Sequence, residues 1–253
     1  MSQIADNGRT SALNPPFVTA PADTRDRLIA ALDLPTAKDA RALVVQLGDS
    51  VTFYKIGLEL CMAPGFFDLL SWLKAEQKKV FVDLKFFDIP ETVARAVRNL
   101  SDRGADLCTI HGNQSMMEAA AQAKSGGTRV LAVTALTSLD QGDLGDLGFQ
   151  CDVADLVASR ARRALAAGCD GVVSSGMEVA RLKAEVGSKL LCVTPGIRPV
   201  ENRVEADQKR IMTPAAAVQA GADYLVIGRP IRDAADPRAA AEAIQAEIAS
   251  ACP

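Results

Sequence analysis

The chain has 253 residues, 49% of them hydrophobic and 23% charged, with a formal net charge of -3 and a sequence pI near 5.3. That is enough apolar material for one α/β barrel or two small domains, and the lack of any Lys/Arg block argues against a nucleic-acid footprint. No apolar run reaches the ~18 residues that span a bilayer, so neither nucleic acid nor membrane is expected as a partner, while phosphate on a small ligand stays allowed.

Up to about Thr24 the chain is polar and Pro-containing, without the apolar core of a signal peptide. Residues 1–25 are therefore expected to be a flexible extension on a cytoplasmic protein, with residues 26–253 as one catalytic domain. Short apolar runs then follow in order: Leu28 to Leu32, Val51 to Ile56, Val80 to Leu84, Leu107 to Ile110, Val130 to Val133, Gly171 to Val173, Leu190 to Val193 and Tyr224 to Ile227. Their unbroken apolar character fits parallel strands covered on both faces. Between them, Pro90 to Arg103 places Val93, Ala96, Val97 and Leu100 at helical spacing, and Val153 to Ala167 does so with Leu156, Val157, Ala161 and Leu165. Gly104-Ala105-Asp106, Gly168-Cys169-Asp170 and Gly221-Ala222-Asp223 repeat one turn chemistry, a glycine ending a helix before a strand. The expected fold is α/β, a single (β/α)8 TIM barrel. The longest irregular segments, Thr137 to Asp152 and Pro195 to Met212, follow the fifth and seventh strands, where long loops are usually functional.

The segment Phe81-Val82-Asp83-Leu84-Lys85-Phe86-Phe87-Asp88-Ile89-Pro90 places two carboxylates and an ammonium at the carboxyl end of the third strand. A period of two puts Asp83 and Lys85 on one face, Asp88 lies just beyond the strand, and Pro90 suits the first turn of a helix. The bland alternative is an isolated ion pair with a helix-capping Asp. Against it stand the other polar strand ends: Asp33, Lys55 before Gly57, Thr134 to Ser138, Arg198 and Gly228-Arg229. In a barrel these surround one mouth. The Gly228-Arg229 pair suits phosphate, glycine by permitting close backbone approach and arginine by its forked donors, and Arg198 strengthens that reading. There is no Walker or G-x-G-x-x-G loop. The six cysteines lack any C-x-x-C spacing and read as small buried hydrophobes, without a disulfide framework. The one histidine, His111, reads equally as a hydrogen-bonded residue near the mouth or as a catalytic group.

These residues together resemble the orotidine 5′-phosphate decarboxylase family from about Leu28 onward. The resemblance rests on Ala31-Leu32-Asp33, Tyr54-Lys55-Ile56-Gly57, the run from Val82 to Thr92, Val193-Thr194-Pro195-Gly196-Ile197-Arg198 and Val226-Ile227-Gly228-Arg229-Pro230-Ile231. Phe87 stands where many members have His, and Glu91 where Asn is frequent. The resemblance implies decarboxylation of orotidine 5′-phosphate to UMP in pyrimidine biosynthesis. Lys55, Asp83, Lys85 and Asp88 would form an alternating charge network, with Lys85 as proton donor and no metal or cofactor. Asp33 and Lys55 would hold ribose hydroxyls, and Thr137 and Ser138 would lie near the pyrimidine. Gln208, Gly228 and Arg229 would bind the phosphate, with Arg198 as a second anchor. Asp88 and Thr92 would enter the neighbouring site of a homodimer. Two alternatives remain: a related sugar-phosphate lyase or decarboxylase using Mg2+ on its carboxylates, and a catalytically dead barrel that binds UMP-like ligands.

Overall fold

The computed structural model describes residue 21, residues 23–199 and residues 211–252. Most of the expected N-terminal extension and Gln208 lie outside the described residues. Eight parallel strands close into a barrel in sequence order, the first pairing with the last. They are β1 (Leu28–Ala31), β2 (Phe53–Gly57), β3 (Lys79–Phe86), β4 (Leu107–His111), β5 (Arg129–Val133), β6 (Gly171–Val173), β7 (Leu191–Thr194) and β8 (Tyr224–Ile227). Every run read as a strand is one. Between and after them lie α1 (Ala37–Leu47), α2 (Leu58–Met62), α3 (Phe66–Ala75), α4 (Pro90–Asp102), α5 (Gln114–Ala123), α6 (Gln141–Asp146), α7 (Val153–Ala166), α8 (Gly176–Val186), α9 (Pro214–Gln219), α10 (Arg229–Arg232) and α11 (Pro237–Ala251). Among the described residues no helix is long and apolar enough to cross a membrane.

Alternation along each strand splits the core in two. Ile29, Phe53, Phe81, Leu107 and Leu131 fill the barrel interior. Leu28, Tyr54, Val82 and Cys108 point outward against the helices, where Leu43, Val97 and Ile244 meet them. A strand buried on both sides needs apolar residues at both parities, hence the unbroken runs. The helical stripes are shifted slightly from expectation: α4 buries Ala94 and leaves Ala96 half-exposed, and α7 buries Ala164 while Leu165 is half-exposed. The segment from Thr137 to Asp152 is not wholly irregular. It contains α6, begun by a capping box in which the Asp140 carboxylate accepts from the Asp143 amide and Asp143 reciprocates. Two glycines inside six residues hid that helix from periodicity.

The repeated Gly-x-Asp turns do more than end helices. Gly104, Gly168 and Gly221 all have φ in the left-handed region, at 77°, 82° and 101°. The aspartate that follows each closes a clamp at the amino end of the barrel. Asp106 Oδ2 accepts from the Val80 amide at 2.7 Å and from Lys74 Nζ at 2.6 Å. Asp170 Oδ2 takes the Val130 amide at 2.8 Å and Lys124 Nζ at 2.7 Å, and Asp223 Oδ2 takes the Cys192 amide and Lys183 Nζ, both at 2.7 Å. Each clamp satisfies an amide of the preceding strand that would otherwise be buried unpaired.

All six cysteines are free. Cys108, Cys169 and Cys192 are buried, which pushes each thiol up to about 12. Cys61, Cys151 and Cys252 are only partly covered, which corrects the expectation that all six are buried.

Candidate active site

The carboxyl ends of the strands enclose a cavity of about 490 Å³, within the ordinary range for a small-molecule site. It is lined by Asp33, Lys55, Asp83 and Lys85 from the ends of β1 to β3 and by Arg198, Gly228 and Arg229 from beyond β7 and β8. In the closed ring β3 and β7 are diametrically placed, so Asp83 and Lys85 face Arg198 across the mouth, while β8 adjoins β1 and a Cβ at Gly228 would stand 3.7 Å from Asp33 Oδ2.

The third strand reaches this geometry by a route that simple alternation does not describe. Val82 pairs with Cys108, and the next pair is Phe86 with Ile110. Asp83, Leu84 and Lys85 therefore stand opposite Thr109 alone. The bulge is sharpened by Lys85 itself, whose φ of 49° is left-handed, a conformation that side chains disfavour. The expected shared face survives: Lys85 Nζ lies 2.9 Å from Asp83 Oδ2, and both line the cavity.

Asp83 is 8% exposed, and a buried carboxylate is tolerable only when its oxygens are engaged. Thr109 Oγ1 donates to Asp83 Oδ1 at 2.9 Å, while Oδ2 receives Lys85 and, at 3.8 Å, Lys55 Nζ. Lys55 Nζ also donates to Asp33 Oδ1 at 2.8 Å. Asp33, Lys55, Asp83 and Lys85 thus form one alternating row of charge. Gly57, the last residue of β2, makes room for it. A Cβ there would stand 3.0 Å from Lys55 Nζ and 3.1 Å from Asp33 Oδ1.

Of the remaining residues singled out from sequence, Thr137 lines the cavity and the neighbouring Ser138 is exposed outside the lining. Asp88 and Thr92 do not line it either. Asp88 is exposed, and its Oδ1 accepts from the Ile89 amide at 2.7 Å. It is not the cap of α4, which starts with Pro90 in its first turn and has no side-chain cap. Thr92 sits half-buried in that first turn.

His111 at the end of β4 is half-buried, and its Nδ1 has no hydrogen-bond partner among the described residues, so the hydrogen-bonded reading fails for that atom. Its ring packs 4.8 Å from that of Phe87. Burial, and then the Arg160 guanidinium, hold its pKa below the ordinary imidazole value.

Two residues escaped the sequence reading. Thr109 is a polar residue on the inward parity in the middle of β4, between Leu107 and His111, and that was its available signal. Arg232 lines the cavity, donates to the Asp33 carbonyl at 2.5 Å and forks onto Asp233 at 2.6 and 3.0 Å. It lies one short helix beyond the Gly-Arg pair, and nothing in spacing alone pointed it inward.

Comparison with known proteins bears on this arrangement. The profile of the Orotidine 5'-phosphate decarboxylase / HUMPS family matches residues 26–244. The chain belongs to that family. A relative named orotidine 5'-phosphate decarboxylase from Methylococcus capsulatus is 65% identical over 90% of this chain and 94% of its own length. Another of that name, from Rhodopseudomonas palustris, is 54% identical over 92% of this chain and 98% of its own. The crystal structure of orotidine 5'-phosphate decarboxylase from Lactobacillus acidophilus superposes with a TM-score of 0.79 at 35% identity, covering 88% of this chain and 99% of that one. Relatives so named at this identity make the chain a decarboxylase of the orotidine 5'-phosphate decarboxylase / HUMPS family. Phe87 and Glu91 are both exposed, and neither lines the cavity.

Proposed function

We propose that the barrel mouth decarboxylates orotidine 5′-phosphate to UMP and CO2, the closing step of UMP synthesis, with Lys85 as proton donor and with neither metal nor organic cofactor. One observation carries this reading: a buried carboxylate, Asp83, held between the ammonium groups of Lys55 and Lys85 at the edge of a nucleotide-sized cavity. Breaking the bond from C6 to the carboxylate leaves an electron pair in the plane of the pyrimidine, where the ring π system cannot delocalise it. Stabilisation then has to come from fixed charge, and an ammonium already in place meets the developing carbanion without reorganising. Lys85 Nζ then delivers its proton to C6, forming the C–H bond of UMP. Asp83 is assigned to face the departing carboxylate, and release of CO2 would relieve that repulsion.

Arg198, across the mouth from Asp83 and Lys85, and the Gly228-Arg229 turn beside Asp33 are assigned to the phosphate, whose binding lends a remote group leverage on the rate. Asp33 and Lys55 are assigned to the ribose hydroxyls, and Thr137 and Ser138 to the pyrimidine. Gln208 is assigned to the phosphate from sequence alone. Asp88 and Thr92 are assigned to the neighbouring site of a homodimer. Asp88 lies between two apolar side chains, Phe87 and Ile89, each 66% exposed, an arrangement that favours cover by a second subunit.

The test is the loss of orotidine 5′-phosphate absorbance with purified protein, with and without EDTA. Turnover that survives the chelator supports the reading. Turnover abolished by EDTA and restored by Mg2+ would favour a metal-dependent lyase, and tight UMP binding without CO2 release would favour a binding module.

A further inference from the structure

We infer that Thr109 is a positioning residue for this decarboxylation: its one hydroxyl fixes both the Asp83 carboxylate and the Lys85 backbone. The inference rests on the function proposed above. Thr109 is fully buried on β4 and faces the widest part of the bulge in β3. Its Oγ1 accepts from the Lys85 amide at 2.9 Å and donates to Asp83 Oδ1 at 2.9 Å. A hydroxyl has one hydrogen and lone pairs to spare, so both bonds form at once and each fixes the direction of the other.

Three consequences follow from that geometry. The Lys85 amide, carried out of the β3–β4 ladder by the bulge, gains an acceptor in place of a strand carbonyl. The left-handed Lys85 backbone, which sets the direction of its side chain, is held at the amide that precedes it. Engagement of Oδ1 by Thr109 also leaves Oδ2 as the oxygen that meets Lys85 and Lys55. Thr109 does not line the cavity and so acts on the reaction only through Asp83 and Lys85. A threonine serving stability alone would use its methyl and hydroxyl to fill space, and its loss would lower the melting temperature without selectively affecting kcat.

Steady-state decarboxylation and thermal melting of wild-type enzyme, Thr109→Ser, Thr109→Val and Thr109→Cys separate these roles. Valine keeps the shape and loses both hydrogen bonds; serine keeps the hydroxyl. The expected result is a fall in kcat of about a hundredfold for Thr109→Val, the size of effect that a misplacement of about 1 Å produces. KM for orotidine 5′-phosphate should stay within about threefold, and Thr109→Ser should restore kcat to within about threefold of wild type. Should Thr109→Val fail to fold, Thr109→Cys carries the comparison, because a thiol replaces the hydroxyl with a weak donor at nearly the same volume. Wild-type kcat in folded valine or cysteine variants, or serine falling as far as valine, would overturn the positioning role alone. No turnover by the wild-type protein would overturn the proposed function together with it.

Discussion

Arg232 donates from Nη1 to the main-chain carbonyl of Asp33, so the short helix after the last strand is fastened to the end of the first. The same guanidinium forks onto Asp233 and holds that carboxyl below the usual carboxylate range. The Asp33 side chain meets Lys55, and Gly228 opens the helix that carries Arg232. Arg232 therefore joins the residues assigned to ribose and to phosphate. Replacement by methionine keeps the stem and removes the donors. One hydrogen bond from a charged group is worth ~1.5–3 kcal/mol, so Arg232→Met is expected to raise KM for orotidine 5′-phosphate about tenfold or more. Its kcat should change less than about threefold, and steady-state kinetics read the split.

Gly57 gives a second, opposite split. Added bulk there meets the flexible ends of Lys55 and Asp33, with no backbone among its nearest contacts, so Gly57→Ala should fold with a melting temperature close to that of wild type. The displaced ammonium no longer stands where Asp83 needs it, and kcat should fall by about a hundredfold. A variant that melts early but turns over normally would show that Gly57 serves packing instead.

The proposed sharing of Asp88 between subunits is tested by mixing. Lys85→Ala and Asp88→Asn should each lose at least ~100-fold in kcat, the lower range for a positioned proton donor or its electrostatic partner. After subunit exchange, random pairing makes half the dimers mixed, and each mixed dimer holds one intact site. Activity should recover to about a quarter of wild type. No recovery despite exchange demonstrated with a tagged subunit would place Asp88 in its own chain's site or in none.

His111 makes stability pH-dependent in a stated direction. The unfolded chain takes up a proton near the ordinary imidazole value of about 6.5, while burial and Arg160 delay that uptake in the folded chain to lower pH. Stability is thus fully present above that value, falls as pH drops through the window, and levels off below the folded pKa. In melts from about pH 7 to about pH 5, the wild type should lose more of its melting temperature than His111→Gln. A constant offset between the two would remove His111 as the cause.

The barrel itself was legible because each strand is buried on both faces, and unbroken apolar runs such as Val130 to Val133 have few other uses. The helical stripes were legible to within two residues, the error at Ala94 and Ala164 arising because alanine carries little hydrophobic signal of its own. The charged row could be located from sequence, but the way it is built could not. Alternation put Lys85 on the face of Asp83, yet the strand arrives there by a bulge and a left-handed lysine, features set by pairing with β4 that no local pattern records. Thr109 was hidden for the same reason, since its importance comes from a neighbour 24 residues away in sequence. Arg232 was hidden because a cation at the end of a short surface helix ordinarily faces water.

The Gly-x-Asp clamps at the opposite end carry a consequence of their own. They join β3 to β4, β5 to β6 and β7 to β8, and no residue serves in two of them. The main chain of the same turns carries the row onward, Asp106 accepting from the Arg129 amide and Asp170 from the Leu191 amide, so side-chain and main-chain bonds alternate around the rear. Loss of one such carboxylate leaves the other two with all their amide and lysine partners, so the floor beneath the site has no single point of failure.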